Sequence, residues 1–422
     1  MLLEIGFKNF KTFVQKTVFS MIPVEDVSEM NYSIIQKKTG IKTQRALVAS
    51  VIYGPNSAGK TNIISAMEVL RGIVLRGHIK NGEDAALELI PSAALKKTQP
   101  VEFFVKFVEN DLLFRYDLKL GLGKFLDKKY KRSVLQEKLT INGKMIFERK
   151  GTDDLKIGNL SRIKKQLVMG YDKDASYRFA QGNLDRQELF LTGQFRAVYS
   201  SEIASIIIGW FKHKLMPYTG VLPTQSGKDN PIYYNGTISK AAKVFAIGAK
   251  DVTFAKTGES GMDCVVKNGD FTLPASIFAS FGTERFLNVY PLVLRALATG
   301  GVLAVDEFDA SIHPMAIISI IGLFRDDLIN KKGAQLIFNT HNPIFLNKNV
   351  FRRDEIGFVD RDEKTGYSTH YYLSDFGTHG PDGVSQDEDY MKHYFISQYG
   401  AIKDIDFSEI VQEQLERIDQ EK

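Results

Sequence analysis

Residues Gly54 to Thr61, GPNSAGKT, fit the pattern G-x-x-x-x-G-K-[ST] at every position. No other feature limits the fold of this chain as much. A loop of this kind turns backbone N–H groups inward around phosphates, and it needs a strand before it and a helix behind it. Both are legible. Ala46 to Tyr53 is an apolar strand-like run that enters the loop, and Asn62 to Leu75 (NIISAMEVLRGIVL) places apolar residues at helical spacing. The pattern predicts that Gly54, Pro55, Asn56, Ser57, Ala58 and Gly59 wall a phosphate site with Asn62 just behind them. Lys60 then neutralises the β- and γ-phosphates, and the Thr61 hydroxyl reaches Mg²⁺.

A second strand-like run, GVLAV at Gly301 to Val305, ends in Asp306 and Glu307. A carboxylate at the carboxyl end of a core strand, facing a phosphate loop, is where Mg²⁺ finds a ligand. Asp306 therefore joins Thr61 as the metal pair, and the adjacent Glu307 is suited to polarise an attacking water. Two further features allow two readings each. Ser280, Gly282 and Thr283, in SFGTER ahead of the helical stretch NVYPLVLRAL, either contact a phosphate or merely N-cap a helix. His341, in NTHN just beyond the strand QLIF, either donates to a γ-phosphate or caps a loop.

Composition narrows the setting. A chain of 422 residues, 44% hydrophobic and 25% charged, has room for two or three packed lobes and reads as an ordinary globular protein. The single cysteine, Cys264, excludes an internal disulfide and a cysteine-rich zinc site, which points to the cytoplasm. No apolar run reaches the ~18 residues of a membrane-spanning helix. The opening MLLEIGFKNF meets Glu4 and Lys8 too early for a secretory signal, so no membrane contact is expected. A net charge of +5 permits nucleic-acid contact without arguing for it. Lys37-Lys38, Lys96-Lys97, Lys164-Lys165 and the run Lys128 to Arg132 suit either solvated faces or phosphate-backbone contacts.

Residues 101 to 150 alternate apolar and polar side chains, with turn signals at Glu109-Asn110-Asp111 and Asn142-Gly143, and predict an antiparallel meander. From about 150 to 270 the pattern is helical and irregular, strongest at Ile203 to Leu215. Short strands are expected at Ile356 to Val359 and His370 to Leu373, an acidic loop at Asp382 to Asp389, and a charged helix from Phe407. The expected units are a first lobe at 1–150, a mostly helical insertion at 151–270, a second lobe at 271–360 and a terminal segment at 361–422.

With these motifs in this order, the chain resembles the ABC ATPase heads of the SMC, RecF and OLD group. Walker A falls at 54–61, the signature at 280–285, Walker B at 302–307, a D-loop at Asp309-Ala310-Ser311 and a switch histidine at His341. Phe281 stands where the usual LSGGQ-like signature has its first glycine. The stretches SFGT, DEFDASIHP and GAQLIFNTH, and the tail Tyr399-Gly400-Ala401-Ile402, are similar more narrowly to stand-alone ATPases of bacterial abortive-infection systems. The resemblance implies an α/β fold, with a RecA-like core sheet, an antiparallel β subdomain and the helical insertion. It implies ATP and Mg²⁺ as cofactors, Glu307 and His341 as catalytic residues, and Gln194 (in competition with Gln136) as the Q-loop glutamine. It also implies a head-to-head homodimer in which Ser280, Gly282 and Thr283 meet the partner's nucleotide.

The function expected on this basis is the ATPase sensor or scaffold of an anti-phage system, gating a separate effector such as a nuclease. The alternative is a RecF- or SMC-like ATPase of DNA repair or chromosomes. A metabolic P-loop kinase needs neither a signature nor a switch histidine, and Asn347 to Val350 lacks the aspartate that reads guanine. OLD nucleases add a C-terminal Toprim domain. The about 80 residues after His341 are too few for one, so no nuclease activity is expected of this chain.

Overall fold

The computed structural model describes residues 1–25, 30–80, 89–95, 97–124, 127, 129–160, 173–220, 235–245, 251–257, 261–268, 271–274, 280–378, 383–385, 388–403 and 405–420. The chain opens with β1 (Leu2–Lys8) and β2 (Thr17–Ser20), then a hairpin of β3 (Ile34–Thr39) and β4 (Lys42–Leu47). β5 (Ala49–Tyr53) leads through the phosphate loop into α1 (Lys60–Arg76). The alternating stretch forms β6 (Val101–Glu109), β7 (Leu112–Gly121), β8 (Ser133–Ile141), β9 (Lys144–Lys150) and β10 (Asp154–Ile157). Its turns fall where the sequence marks them. Asn110, Asp111, Asn142 and Gly143 all have positive φ, as two-residue turns that follow the strand twist require. With β1 and β2 these strands make a seven-stranded antiparallel sheet, in the order β10-β9-β8-β7-β6-β1-β2.

The next stretch holds α2 (Lys173–Gly182), a wide helical turn (Leu191–Tyr199), α3 (Ser201–His213), β11 (Leu215–Tyr218) and α4 (Asn235–Phe245). A small antiparallel sheet follows, of β12 (Asp251–Thr257), β13 (Gly261–Asn268) and β14 (Phe271–Pro274). The described residues of 151–270 hold three helices and the wide turn, but also the strands β10 to β13, and β11 joins the core sheet. Four residues, LMPY, are too few to display a period, and only their burial against β15 makes them a strand.

The chain ends with α5 (Phe281–Thr299), β15 (Val302–Val305), α6 (Pro314–Arg325), β16 (Gln335–Asn339), β17 (Ile356–Arg361), β18 (Ser368–Tyr372), α7 (Tyr390–Phe395) and α8 (Ser408–Gln420). The core sheet is ordered β11-β15-β16-β5-β17-β18, parallel throughout except for the antiparallel edge strand β18. Both of its faces are covered. Ile52, Val302, Ala304, Ile337 and Val359 join a core shared with α1, α3 and the inner face of the antiparallel sheet. Val51, Leu303, Val305, Leu336 and Phe358 join a second core beneath α5 and α6. That two-sided burial is why β15 and β16 read as continuous apolar runs rather than alternating ones. In the first core Trp210 stacks on Phe107 at 4.0 Å, and truncating such a ring costs about 3–5 kcal/mol. The fold is α/β. No helix among the described residues is long and apolar enough to cross a membrane.

Candidate nucleotide site

Between β5 and α1 the backbone must reverse within six residues, and glycine makes this feasible. Gly54 has φ 150°, and a Cβ there would stand 2.1 Å from the Val359 carbonyl oxygen. Gly59 has φ 115° and sits against the hydroxyls of Thr12 and Ser368. Neither position admits a side chain without a shift of its neighbours. The loop is walled on two sides. From the β17–β18 hairpin, Ser368 Oγ donates to the Ala58 carbonyl and Arg361 donates to the Ser57 carbonyl at 3.2 Å. From the β1–β2 turn, Thr12 Oγ1 accepts from the Asn62 amide at 2.8 Å, and its carbonyl accepts from Ser368 N–H at 2.9 Å.

Lys60 is buried, and its ammonium donates to the carbonyls of Gly54 and Pro55 at 2.8 and 3.1 Å. Burial lowers its pKa to about 8, against the opposing pull of Asp306 and Glu307. Two neutral carbonyls are weak partners for a buried cation, so an arriving phosphate meets a charge it can compensate.

Facing the loop, Thr61 Oγ1 donates to Asp306 Oδ1 at 3.1 Å, and the Asn339 amide donates to the same oxygen. Asn339 Oδ1 in turn accepts from Glu307 N–H at 2.6 Å. One buried amide at the end of β16 thus fixes both acids at the end of β15. Burial pushes the Asp306 carboxyl up, while the bonds from Asn339 and Thr61 pull the other way. Glu307 is exposed and left-handed, with φ 47°, a conformation that costs a non-glycine residue energy and persists at working sites.

His341 stands at the exposed start of the loop after β16. Partial burial and then the charge of Lys60 hold its pKa below the usual imidazole value, opposed by Glu307, Asp309 and Asp306. Its neighbour Thr340 donates to Asp309 Oδ2 at 2.7 Å and accepts from Asn342 N–H at 2.8 Å. The segment after Glu307 is therefore tied to the histidine's loop. Ser280 N-caps α5, with its Oγ accepting from Thr283 N–H at 3.2 Å and 2.9 Å from the Thr283 hydroxyl. The capping geometry is met, while Ser280 and Phe281 remain exposed at the helix end. A Cβ on Gly282 would stand 2.1 Å from the Ser311 carbonyl oxygen, so α5 rests directly on the segment Asp309 to Ser311. One turn further, Arg285 donates to the carbonyls of Asp306 and Glu307, each at 3.0 Å.

A family model described as "AAA domain, putative AbiEii toxin, Type IV TA system" matches residues 49–163 and 230–347, more than half of the chain. The chain belongs to this family. The first matched segment of this AAA-domain protein holds Gly54 to Asn62, and the second holds Ser280 to Thr283, Asp306, Glu307 and His341.

No curated protein matches. Among solved structures the AAA-domain chain is similar to an SmcHead bound to the C-winged helix domain of ScpA, at 13% identity over 88% of this chain and 97% of that one, TM-score 0.40. It is similar to an SMC head domain from Thermotoga maritima, at 14% identity over 88% and 98%, TM-score 0.35. A third likeness is to an Smc head domain with an extended coiled coil bound to the C-terminal domain of ScpA derived from Pyrococcus furiosus, at 13% identity over 89% and 97%, TM-score 0.39.

Not every expected residue arrives at the site. Gln194 lies on the wide helical turn, where its amide donates to the Asn183 carbonyl. That turn packs at the far end of α1, with Thr192 against Gly77, about 25 Å from Lys60 along a helix of this length. The cause is Glu137, a buried carboxylate that accepts from Phe190 and Leu191 N–H at 2.7 and 2.9 Å and so anchors the turn over the antiparallel sheet. Gln136, the competing choice, lies on β8, where its amide donates to Glu148 on β9 at 2.7 Å. Of the acidic loop, Asp382 and Asp387 lie outside the described residues. Asp389 N-caps α7 through Lys392 N–H, and Glu388 accepts from Ser385 N–H.

Three residues of the site give no sign of themselves in the sequence: Thr12, Arg361 and Ser368. Arg285 falls inside SFGTER without any mark of its bonds to the acid pair, and Asn339 carries a signal as a polar residue ending a buried strand at the same level as Asp306 on β15.

Proposed function

We propose that the chain binds ATP with Mg²⁺ at the phosphate loop and hydrolyses it in a head-to-head dimer, within the cytoplasm. The observation that carries this is the 3.1 Å bond between Thr61 Oγ1 and Asp306 Oδ1, which joins the end of the loop to the end of β15. A hydroxyl and a carboxylate are hard oxygen ligands of the kind Mg²⁺ prefers. Thr61 and Asp306 would hold such a cation beside the bound phosphates. When bound, it supplies neutralisation of phosphate charge.

The chain's own residues divide the remaining work. Lys60 exchanges its carbonyl partners for phosphate oxygens. Glu307 takes the proton of a water, its backbone fixed by Asn339. His341 donates to the terminal phosphate, and the Thr340–Asp309 bond relays its position to the D-loop. The exposed Ser280 and Phe281 at the start of α5 support a contact with the partner's nucleotide.

We further propose that this cycle gates a separate effector of an anti-phage system. The family description, with its AbiEii toxin and type IV TA system, supports that setting. The trans site is tested by mixing. Ser280→Arg and Lys60→Ala chains should each be inactive alone, and random pairing should restore about a quarter of the wild-type ATPase rate. No recovery, with ATP binding by Ser280→Arg intact, overturns it. The effector reading is tested separately. The isolated chain with ATP and Mg²⁺ or Mn²⁺ should leave DNA and RNA uncut, and cleavage that survives Lys60→Ala makes the chain an effector itself.

A further inference from the structure

Two apolar faces of this chain stand open, and they match. The first is a groove of about 590 Å³ between α4, α5 and α6, lined by Val244, Phe245, Tyr290, Met315, Ala316 and Leu323. Val244 is 90% exposed and Met315 63%, while the floor is firm, with Phe245 stacked on Phe286 at 4.2 Å. The second is α8. Val411, Leu415 and Ile418 recur at i, i+4 and i+7, so they form one stripe on the helix, and each is exposed.

Length and charge agree as well. The stripe from Val411 to Ile418 and the α6 wall from Met315 to Leu323 both run about 11–12 Å at the helical rise. On the sequence, α8 carries Glu409, Glu413, Glu416 and Asp419 against the one base Arg417. Lys240 of α4 lines the groove's edge, and α4 carries no acid on the sequence. An acidic amphipathic helix and an apolar groove with a basic edge are the two halves of a helix-in-groove contact.

We propose that α8 of a second copy of this chain occupies the groove. The chain before α8 is anchored elsewhere. Tyr399 and Ala401 are buried, and the Tyr399 carbonyl accepts from Tyr371 Oη on β18 at 2.7 Å. α8 lies exposed, clear of its own groove. Each copy offers one helix and one groove, so an exchange between two copies satisfies both and closes as a dimer. The groove's position gives the contact a consequence. α5 begins at Ser280 and α6 begins just after the D-loop, so a helix seated between them bears on both segments. This contact is independent of nucleotide and is tested without it, so its failure is distinct from failure of the ATP-dependent dimer.

The test is a disulfide between Ala316→Cys and Leu415→Cys in a Cys264→Ser background, oxidised without nucleotide and read on a non-reducing gel with thiol counting. The expected result is a dimer-mass band that needs both cysteines and is lost when Val411→Asp is added. Loss of thiols at monomer mass means the helix fills its own groove and overturns the exchange. A dimer band from Leu415→Cys alone means helix pairs with helix, and it overturns the groove. Free thiols with no new band overturn the contact altogether.

Discussion

The guanidinium of Arg285 donates to the backbone carbonyl of Asp306 at 3.0 Å, and so fastens the first turns of α5 to the strand end that carries the acid pair. A second bond of the same length reaches the Glu307 carbonyl. The two bonds tie α5 to the acid pair within one subunit. Arg285→Ala should keep ATP affinity, because Arg285 touches neither Lys60 nor Thr61. It should slow hydrolysis about tenfold, the effect of a barrier raised by ~1.4 kcal/mol. Single-turnover rates beside calorimetric ATP titration check this. Weakened binding with an unchanged rate would contradict it.

Lys60 sets a pH dependence. Its pKa in the free protein is lowered to about 8 by burial. Below that pH it is already charged, and phosphate binding moves no proton onto it. Above that pH it is increasingly neutral in the free protein and must take up a proton as phosphate binds. ATP affinity should therefore fall with rising pH from about 8, by up to tenfold per unit. Titrations in two buffers of different ionisation enthalpy should reveal proton uptake at pH 9 and little at pH 7. Lys60→Ala should abolish binding at both.

Glu307→Gln should retain ATP and lose hydrolysis by on the order of 10²-fold or more, since an amide is no base. The backbone bond to Asn339 does not involve the side chain, so the melting temperature should stay near wild type. A normal steady-state rate would move the base to another residue, His341 first.

Gly282→Ala probes the contact between α5 and the segment ending at Ser311. The added methyl meets the Ser311 carbonyl oxygen at 2.1 Å, and relieving that overlap costs about 1–3 kcal/mol. Stability should drop by that amount in urea denaturation and hydrolysis should fall, while ATP binding by Lys60 and Thr61 persists. Unchanged stability would mean that the segment around Ser311 yields freely.

What the sequence discloses is what contiguous residues encode. The phosphate loop, the acid pair after GVLAV and the meander with its Asn turns each lie within one short window, so each is legible from the residues alone. The loop's walls are not. Thr12, Arg361 and Ser368 act as single side chains from distant segments, and no window contains both them and the loop. β11 is equally hidden, because four residues show no period and only the gap beside β15 makes them a strand. Gln194 misleads for a related reason. It stands next to the strongest helix in sequence, but the buried carboxylate of Glu137 decides where that turn lies in space.

The Ser368 and Arg361 bonds to the phosphate loop join residues more than 300 positions apart. The motif at 54–61 is thus complete as a string long before it is complete as a cradle. During synthesis the loop emerges early and waits for most of the chain to be made before its second wall exists. Nucleotide can then report on completion: an N-terminal fragment ending before β17 carries every letter of the motif and lacks the hairpin that holds it in shape.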